Sequence, residues 1–288
     1  SNAVYKGNGC SMGKTSSTGI RQLGLHIALA TCSLFMITPF IWQILTAFKS
    51  VPESRAVPPV IFPGELHLEG FEHFFSALPL GRLLTVSSLA LVFRVLGQVT
   101  VCSLAAYGFA RFRFPGRGLL FGLFLVMLMA PSQLFLIAQF TLVRDLHLLD
   151  TIPAISLPGI FSAFGTFLLR QAFISVPREF EEAARLDGAG ALRIFFTIML
   201  PLTAPSLAAL TVLTALYSWN DLLWPLVITS SPENMTLPVG LATLQGQHGT
   251  DYPTLMAGSL LASLPLIVIF VLLQKQFFEG IASSGLKG

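Results

Sequence analysis

The sequence predicts an all-α integral membrane protein: six transmembrane helices, N- and C-termini cytoplasmic, and one charged cytoplasmic loop. Three observations carry that expectation. Of 288 residues, 53% are hydrophobic and only 11% charged, whereas a soluble domain carries about 25% charged residues. Mean hydropathy is +0.75. The sparse charges also leave apolar stretches of the length that crosses a bilayer, about 20 residues at ~1.5 Å each. Residues 23–48, 118–143, 151–169, 194–220 and 252–274 hold no Asp, Glu, Lys or Arg, and 83–110 holds only Arg94. Finally, no period-2 alternation runs through these stretches, which argues against a β-barrel.

Orientation follows from the basic residues of the short loops. With the N-terminus inside, the inner side collects Lys6, Lys14, Arg21, Arg111, Arg113, Arg117, Arg170, Arg178, Arg185, Arg193, Lys275 and Lys287. The outer side collects Lys49, Arg55, Arg82 and Arg144. That asymmetry divides the chain into a cytoplasmic tail (1–22), a membrane domain (23–278) and a cytoplasmic C-terminal tail (279–288). Ser1-Asn2-Ala3 reads as a tag remnant and Met12 as a natural start, so residues 1–11 carry no functional argument. The first apolar stretch is too long for a cleaved signal and reads as a retained anchor.

The connections differ in character. Residues 50–80 form the longest outer loop, proline-rich at first, then carrying Phe71, Phe74 and Phe75 at a spacing suited to a short helix lying at the membrane interface. The last outer loop, 228–251, holds Glu233 and Asp251 and no basic residue. Prolines 39, 131, 158, 205, 225 and 265 sit in or near spans, where each removes a helix hydrogen bond and tends to bend the helix. Cys10, Cys32 and Cys102 show no paired spacing and read as small packing residues.

The inner loop 170–193 is the most charged part of the chain. Its segment 177–201, PREFEEAARLDGAGALRIFFTIMLP, begins as a helix should. Pro177 suits the first helical position, and Glu179, Glu181 and Glu182 place negative charge at the positive end of the helix dipole. Ala183 and Ala184 leave a flat surface between charges, and Gly188 and Gly190 permit a sharp turn. The segment is thus a helix–turn–helix element whose carboxylates and small residues would suit close approach by another protein.

The order Glu182-Ala183-Ala184, three residues, Gly188, nine residues, Ile198, one residue, Leu200-Pro201 resembles the EAA loop of ABC-type importer permeases. The chain is also similar to the carbohydrate-uptake branch, akin to the second membrane subunit of the maltose-type transporter. Ala106-Tyr107, Phe114-Pro115-Gly116, Asp187-Gly188-Ala189, Trp219-Asn220-Asp221, residues 236–240 (TLPVG) and residues 285–288 (GLKG) carry that likeness, over about residues 23–288. The resemblance implies a second permease forming a heterodimer with this chain, an ATPase dimer and an extracytoplasmic solute-binding protein, all working in the lipid bilayer. It implies that Glu181, Glu182, Ala183, Ala184, Asp187, Gly188 and Gly190 serve ATPase coupling, with Glu182 the contact carboxylate and Gly188 the turn. Gly285, Lys287 and Gly288 would reach the interface between the ATPase subunits. ATP and magnesium would bind the partner ATPase, and no cofactor would bind this chain. The cargo implied is a sugar or sugar-like solute, glycerol-phosphate compounds included.

Within the spans, Arg94 is a functional-site candidate because a charge in lipid costs several kcal/mol, and Gln98 lies four residues on, on the same face. A structural pair between Arg94 and a carboxylate or helix carbonyls is the competing reading. Asn220 and Asp221, flanked by Trp219 and Trp224, suit sugar recognition, whereas tryptophans at a membrane interface would serve as anchors. Other chemistries find no support. Counting back from Gly13-Lys14-Thr15 places Asn8 where a phosphate loop needs glycine. The five histidines are scattered, and neither HExxH nor GxSxG occurs, so no catalytic or metal site is expected, and no nucleic acid. A self-contained secondary transporter would need inverted repeats and coupling carboxylates within spans, and only Asp221 comes close. A membrane enzyme or a scaffold subunit would be separated from a transport subunit by the genes beside it.

Overall fold

The computed structural model describes residues 15–246 and 249–285, and among these every regular element is helical. Three helices are long and apolar enough to cross a membrane unbroken: Gln22–Ala47, Leu80–Arg111 and Tyr252–Val271, the first, second and sixth spans. The third, fourth and fifth are bent pairs. Arg117–Met129 meets Ser132–Asp145 at 100°, Ile152–Ile160 meets Ala163–Ser175 at 51°, and Ala191–Leu202 meets Ala204–Trp219 at 78°. Counted as one span each, they complete the six.

Proline explains where the bends fall. Pro131 lies in the first break, Pro158 in the turn before the second, and Pro201 and Pro205 flank the third at Thr203. Each lacks the N–H that a continuing helix needs. Pro39 and Pro265 lie inside unbroken helices. The third bend alters the expected fifth span. Residues 194–202 do not continue the rod, and the 16 residues of Ala204–Trp219 reach about 24 Å at 1.5 Å per residue. After non-helical Asn220–Leu222, helix resumes at Leu223–Ile228.

The second span is the organising element. It packs against the fourth and fifth spans and against Leu237–Thr243. One end of the bundle is an apolar core of Cys102, Ala106, Tyr107, Ala110, Leu169, Phe173, Ile194, Phe195 and Met199. The other end gathers Val86, Ala90, Val143, Ala154, Ile155, Trp224 and Ile228. Directed bonds between elements fix the register. Ser156 donates to the Ala90 carbonyl at 2.8 Å, and the Leu237 N–H donates to the Ser87 hydroxyl at 2.8 Å. The first span contacts mainly the sixth and buries none of its most apolar window.

The phenylalanine spacing predicts a short helix here, and Glu69–Ala77 forms one. Phe74 is fully buried, and Gly70 and Gly258 are places where an added methyl would collide with Pro253 and with the Phe74 ring. This helix therefore packs onto the sixth span through close backbone approaches, and only Phe75 of its three phenylalanines is exposed.

Candidate functional site

Two constellations deserve the name of site. The first is the segment 177–201. Its helix runs Glu179–Leu186, with Arg178 as the cap whose carbonyl accepts the N–H groups of Glu181 and Glu182, each at 3.0 Å. Pro177 therefore stands before the cap rather than at the first helical position. The three glutamates do fall in the first turn. Gly188 reverses the chain at φ +80°, with open space around it. Gly190 takes no part in the reversal, since its φ of −75° is ordinary; it caps the next turn, Ala191–Ile194.

The two neighbouring carboxylates separate here. Glu182 is exposed, as are Ala183 and Asp187, and Leu186 is 89% exposed. Glu181 is 4% exposed. Its Oε1 lies 2.6 Å from Nε of Arg111, close in distance though not aligned as a hydrogen bond, and Oε2 accepts from Arg185 at 3.3 Å. Successive residues on a helix point about 100° apart, so Glu181 faces the protein's own interior, behind the exposed face that carries Glu182. Ala184 is half-buried against the same core.

The second constellation is in the middle of the second span. Arg94 Nη1 donates to Asp221 Oδ2 at 2.8 Å, with the two side chains 14% and 18% exposed. The guanidinium also lies 5.8 Å from the Tyr217 ring centroid, and its Nε is buried without a partner. Any side chain at Gly159 would collide with it. Two helix interruptions converge on this point: Asn220–Leu222 in the fifth span carries Asp221, and the bend after Ile160 in the fourth follows Gly159. Two candidates read separately in the sequence are therefore one ion pair within the chain. Tyr217, which sequence reasoning missed, is 71% exposed beside it.

Gln98 is buried, and Asn220 is exposed with its amide donating to the Leu216 carbonyl at 2.8 Å. The tryptophans are neither sugar platforms nor interface anchors. Trp219 is 4% and Trp224 7% exposed, and their indole N–H groups donate to the carbonyls of Ala262 and Ala154. Both rings pin neighbouring elements together. Gly285 ends the last described helix, and Lys287 and Gly288 lie outside the described residues, as does the N-terminal glycine-rich run 7–13.

Residues 98–281 match the family model of the binding-protein-dependent transport system inner membrane component. The chain belongs to this family. It is therefore a multi-pass inner-membrane permease of a binding-protein-dependent ABC importer system. Such a system joins the permease to a second permease subunit, an ATPase and a solute-binding protein.

Relatives agree along nearly the whole length. The arabinooligosaccharides transport system permease protein AraQ of Halalkalibacterium halodurans is 35% identical over 282 residues, 96% of this chain and 100% of that one. The sn-glycerol-3-phosphate transport system permease protein UgpE of Yersinia pestis bv. Antiqua is 35% identical over 268 residues, 90% and 95% of the two chains. A chain from a bacterial ABC transporter involved in the import of the acidic polysaccharide alginate superposes with a TM-score of 0.79. It is 23% identical, and the match covers 93% of this permease and 100% of that chain, a likeness in fold.

Proposed function

We propose that this permease carries a sugar or sugar-like solute across the cytoplasmic membrane and catalyses no reaction, ATP and magnesium being bound and ATP hydrolysed on the partner ATPase. Both termini and the 177–201 segment face the cytoplasm in this reading, as the distribution of basic residues favours. The carrying observation is the surface of the Glu179–Leu186 helix. Glu182 and Leu186 project from it, supported behind by a helix that is tied to the bundle at Glu181. A carboxylate beside an exposed leucine suits a groove that is apolar within and basic at its rim. ATP binding then favours one arrangement of the docked loops, and the spans follow as a population shift.

For the cargo, the relatives supply the class and the Arg94–Asp221–Tyr217 group supplies suitable chemistry. A carboxylate and a guanidinium accept from and donate to hydroxyls, and an exposed ring packs against sugar C–H faces. Exposed Asn220, next to Asp221 in the chain, and Gln98, one helical turn from Arg94, are the further polar groups in this reading.

Affinity purification from the native host tests the assembly. Wild-type chain should recover an ATPase and a second permease, with ATP hydrolysis stimulated by loaded binding protein. Glu182→Ala should lose or uncouple that activity. A chain that purifies alone and moves solute in liposomes without ATP would overturn the reading.

A further inference from the structure

The Arg111–Glu181–Arg185 cluster lies behind the docking surface and apart from the Arg94 pair, and neither accounts for it. Arg111 is the last residue of the second span. Its guanidinium meets Glu181 and also donates to the Val176 carbonyl at 2.6 Å, where the fourth span has just ended. One side chain thus ties the second span, the end of the fourth and the docking helix. The Arg111 and Glu181 side chains are each only 5% exposed, and Arg185, 55% exposed, closes the carboxylate from the solvent side. Beneath them Tyr107 packs edge-on against Phe173 and beside Phe195, so the pair stands on a close-packed aromatic floor.

Glu181 is the only buried residue of the Glu179–Leu186 helix. Otherwise that helix has half-buried Ala184 and exposed faces. Eight residues held by their two chain ends would swing when pushed. A sealed pair is also a poor device for stability alone, because desolvating both charges offsets much of their attraction. What it supplies is a fixed position: one carboxylate oxygen lies 2.6 Å from Arg111 Nε as an ion pair and the other accepts from Arg185, whereas apolar contacts slide.

We infer that Glu181 is a positioning residue that makes the docking helix move as one body with the second span, passing ATPase motion to the helix that carries Arg94. This rests on the reading that residues 177–190 dock on the ATPase. Glu181 acts from inside, while Glu182 and Leu186 make the contact.

The test is uptake per ATP hydrolysed, in liposomes holding the full complex of this permease, its partner permease and the ATPase dimer, with loaded binding protein added. Glu181→Gln should still assemble and hydrolyse ATP, yet its uptake per ATP should fall about tenfold, the size of a typical coupling between sites. Glu181→Asp, which keeps the charge, should recover part of the loss. A wild-type ratio in Glu181→Gln, including uptake and hydrolysis falling together, overturns the inference. If Glu181→Gln fails to assemble, Arg111→Lys serves instead. It keeps the charge but loses the fork that reaches both Glu181 and Val176, so its ratio should fall, and an unchanged ratio overturns the inference equally. Absence of ATP-dependent uptake in the wild-type complex would instead count against the permease reading.

Discussion

Arg94 and Arg111 sit on one helix, each paired with a carboxylate from another element, and the two pairs are built differently. At Arg111 the side chains are 5% exposed, the carboxylate is held by a second arginine, and aromatic rings form the floor. At Arg94 the side chains are 14% and 18% exposed and the partner sits in a helix interruption; in both pairs the arginine Nε is buried without an aligned hydrogen-bond partner. The first pair joins continuous, tightly packed helices at the end of the bundle. The second lies where two helices are broken and a tyrosine stands open. Deep burial on packed rings suits a joint; residual exposure at a break in two helices suits a surface that exchanges partners.

The largest effect that would sharpen this contrast is expected at Arg111. Arg111→Met leaves the Glu181 carboxylate in a sealed site with only the outer Arg185, and removing one member of a buried pair costs about 3–5 kcal/mol. Denaturant unfolding of the purified permease in detergent would measure it. Arg94→Met should cost less, about 1–2 kcal/mol, because Asp221 keeps access to solvent or a neighbouring subunit. Adding Asp221→Leu should recover most of that loss, since no unpaired charge then remains, and the double-mutant cycle gives the coupling directly. A larger loss at Arg94 than at Arg111 would break the comparison. Should Arg94→Met leave uptake at the wild-type rate with normal expression, the proposed role in the solute path would fall.

Much of this architecture was legible in the sequence, and the misreadings share a cause. Span number followed from charge-free length, but neither the break of the fifth span at Thr203 nor the return of helix beyond Asp221 did. Charge-free length reports hydropathy; it is blind to an acid whose partner, Arg94, is 127 positions away. A signal was present, since Arg94 and Asp221 each stand at least 12 residues from any other charged residue, with apolar sequence on both sides. Glu181 and Glu182 are adjacent carboxylates, and which of them faces inward is decided by where Arg111 ends the second span. The i, i+4 spacing of Glu181 and Arg185 was the readable hint. The tryptophans misled because their surroundings looked polar in sequence, while each indole N–H is satisfied by a backbone carbonyl in another element.

Two glycines separate backbone freedom from packing at the same two sites. Gly188 holds φ +80° with nothing near its missing Cβ, so Gly188→Ala carries backbone strain alone, about 1–2 kcal/mol. The expected readout is weaker recovery of the ATPase with the spans intact. Gly159 has no such backbone demand, but a methyl there would collide with the Arg94 guanidinium. Gly159→Ala should therefore resemble Arg94→Met in solute uptake while leaving ATPase recovery unchanged. If both alanine variants gave the same phenotype, the two sites would not be functionally separate.

The smallest effect is expected at a third carboxylate, which shows what an exposed charge does without sealing. Asp251 precedes the sixth span and accepts from the Thr254 N–H at 3.1 Å and the Thr254 hydroxyl at 2.7 Å, with the His73 ring 3.5 Å away. Burial alone would raise its pKa, but the Thr254 bonds and His73 outweigh that and hold it below the ordinary aspartate value. A carboxylate with a lowered folded-state pKa adds stability that is fully present above its unfolded pKa, about 3.9, and is lost as pH falls through the lower folded value. The contribution should amount to a few tenths of a kcal/mol, because the side chain is 34% exposed and screened by water. Asp251→Asn should thus lower the unfolding midpoint slightly at pH 7 and flatten its fall below about pH 4. A loss at pH 7 as large as that of Arg111→Met would mean that burial does not rank these charges, and the distinction between joint and open surface would lose its physical basis.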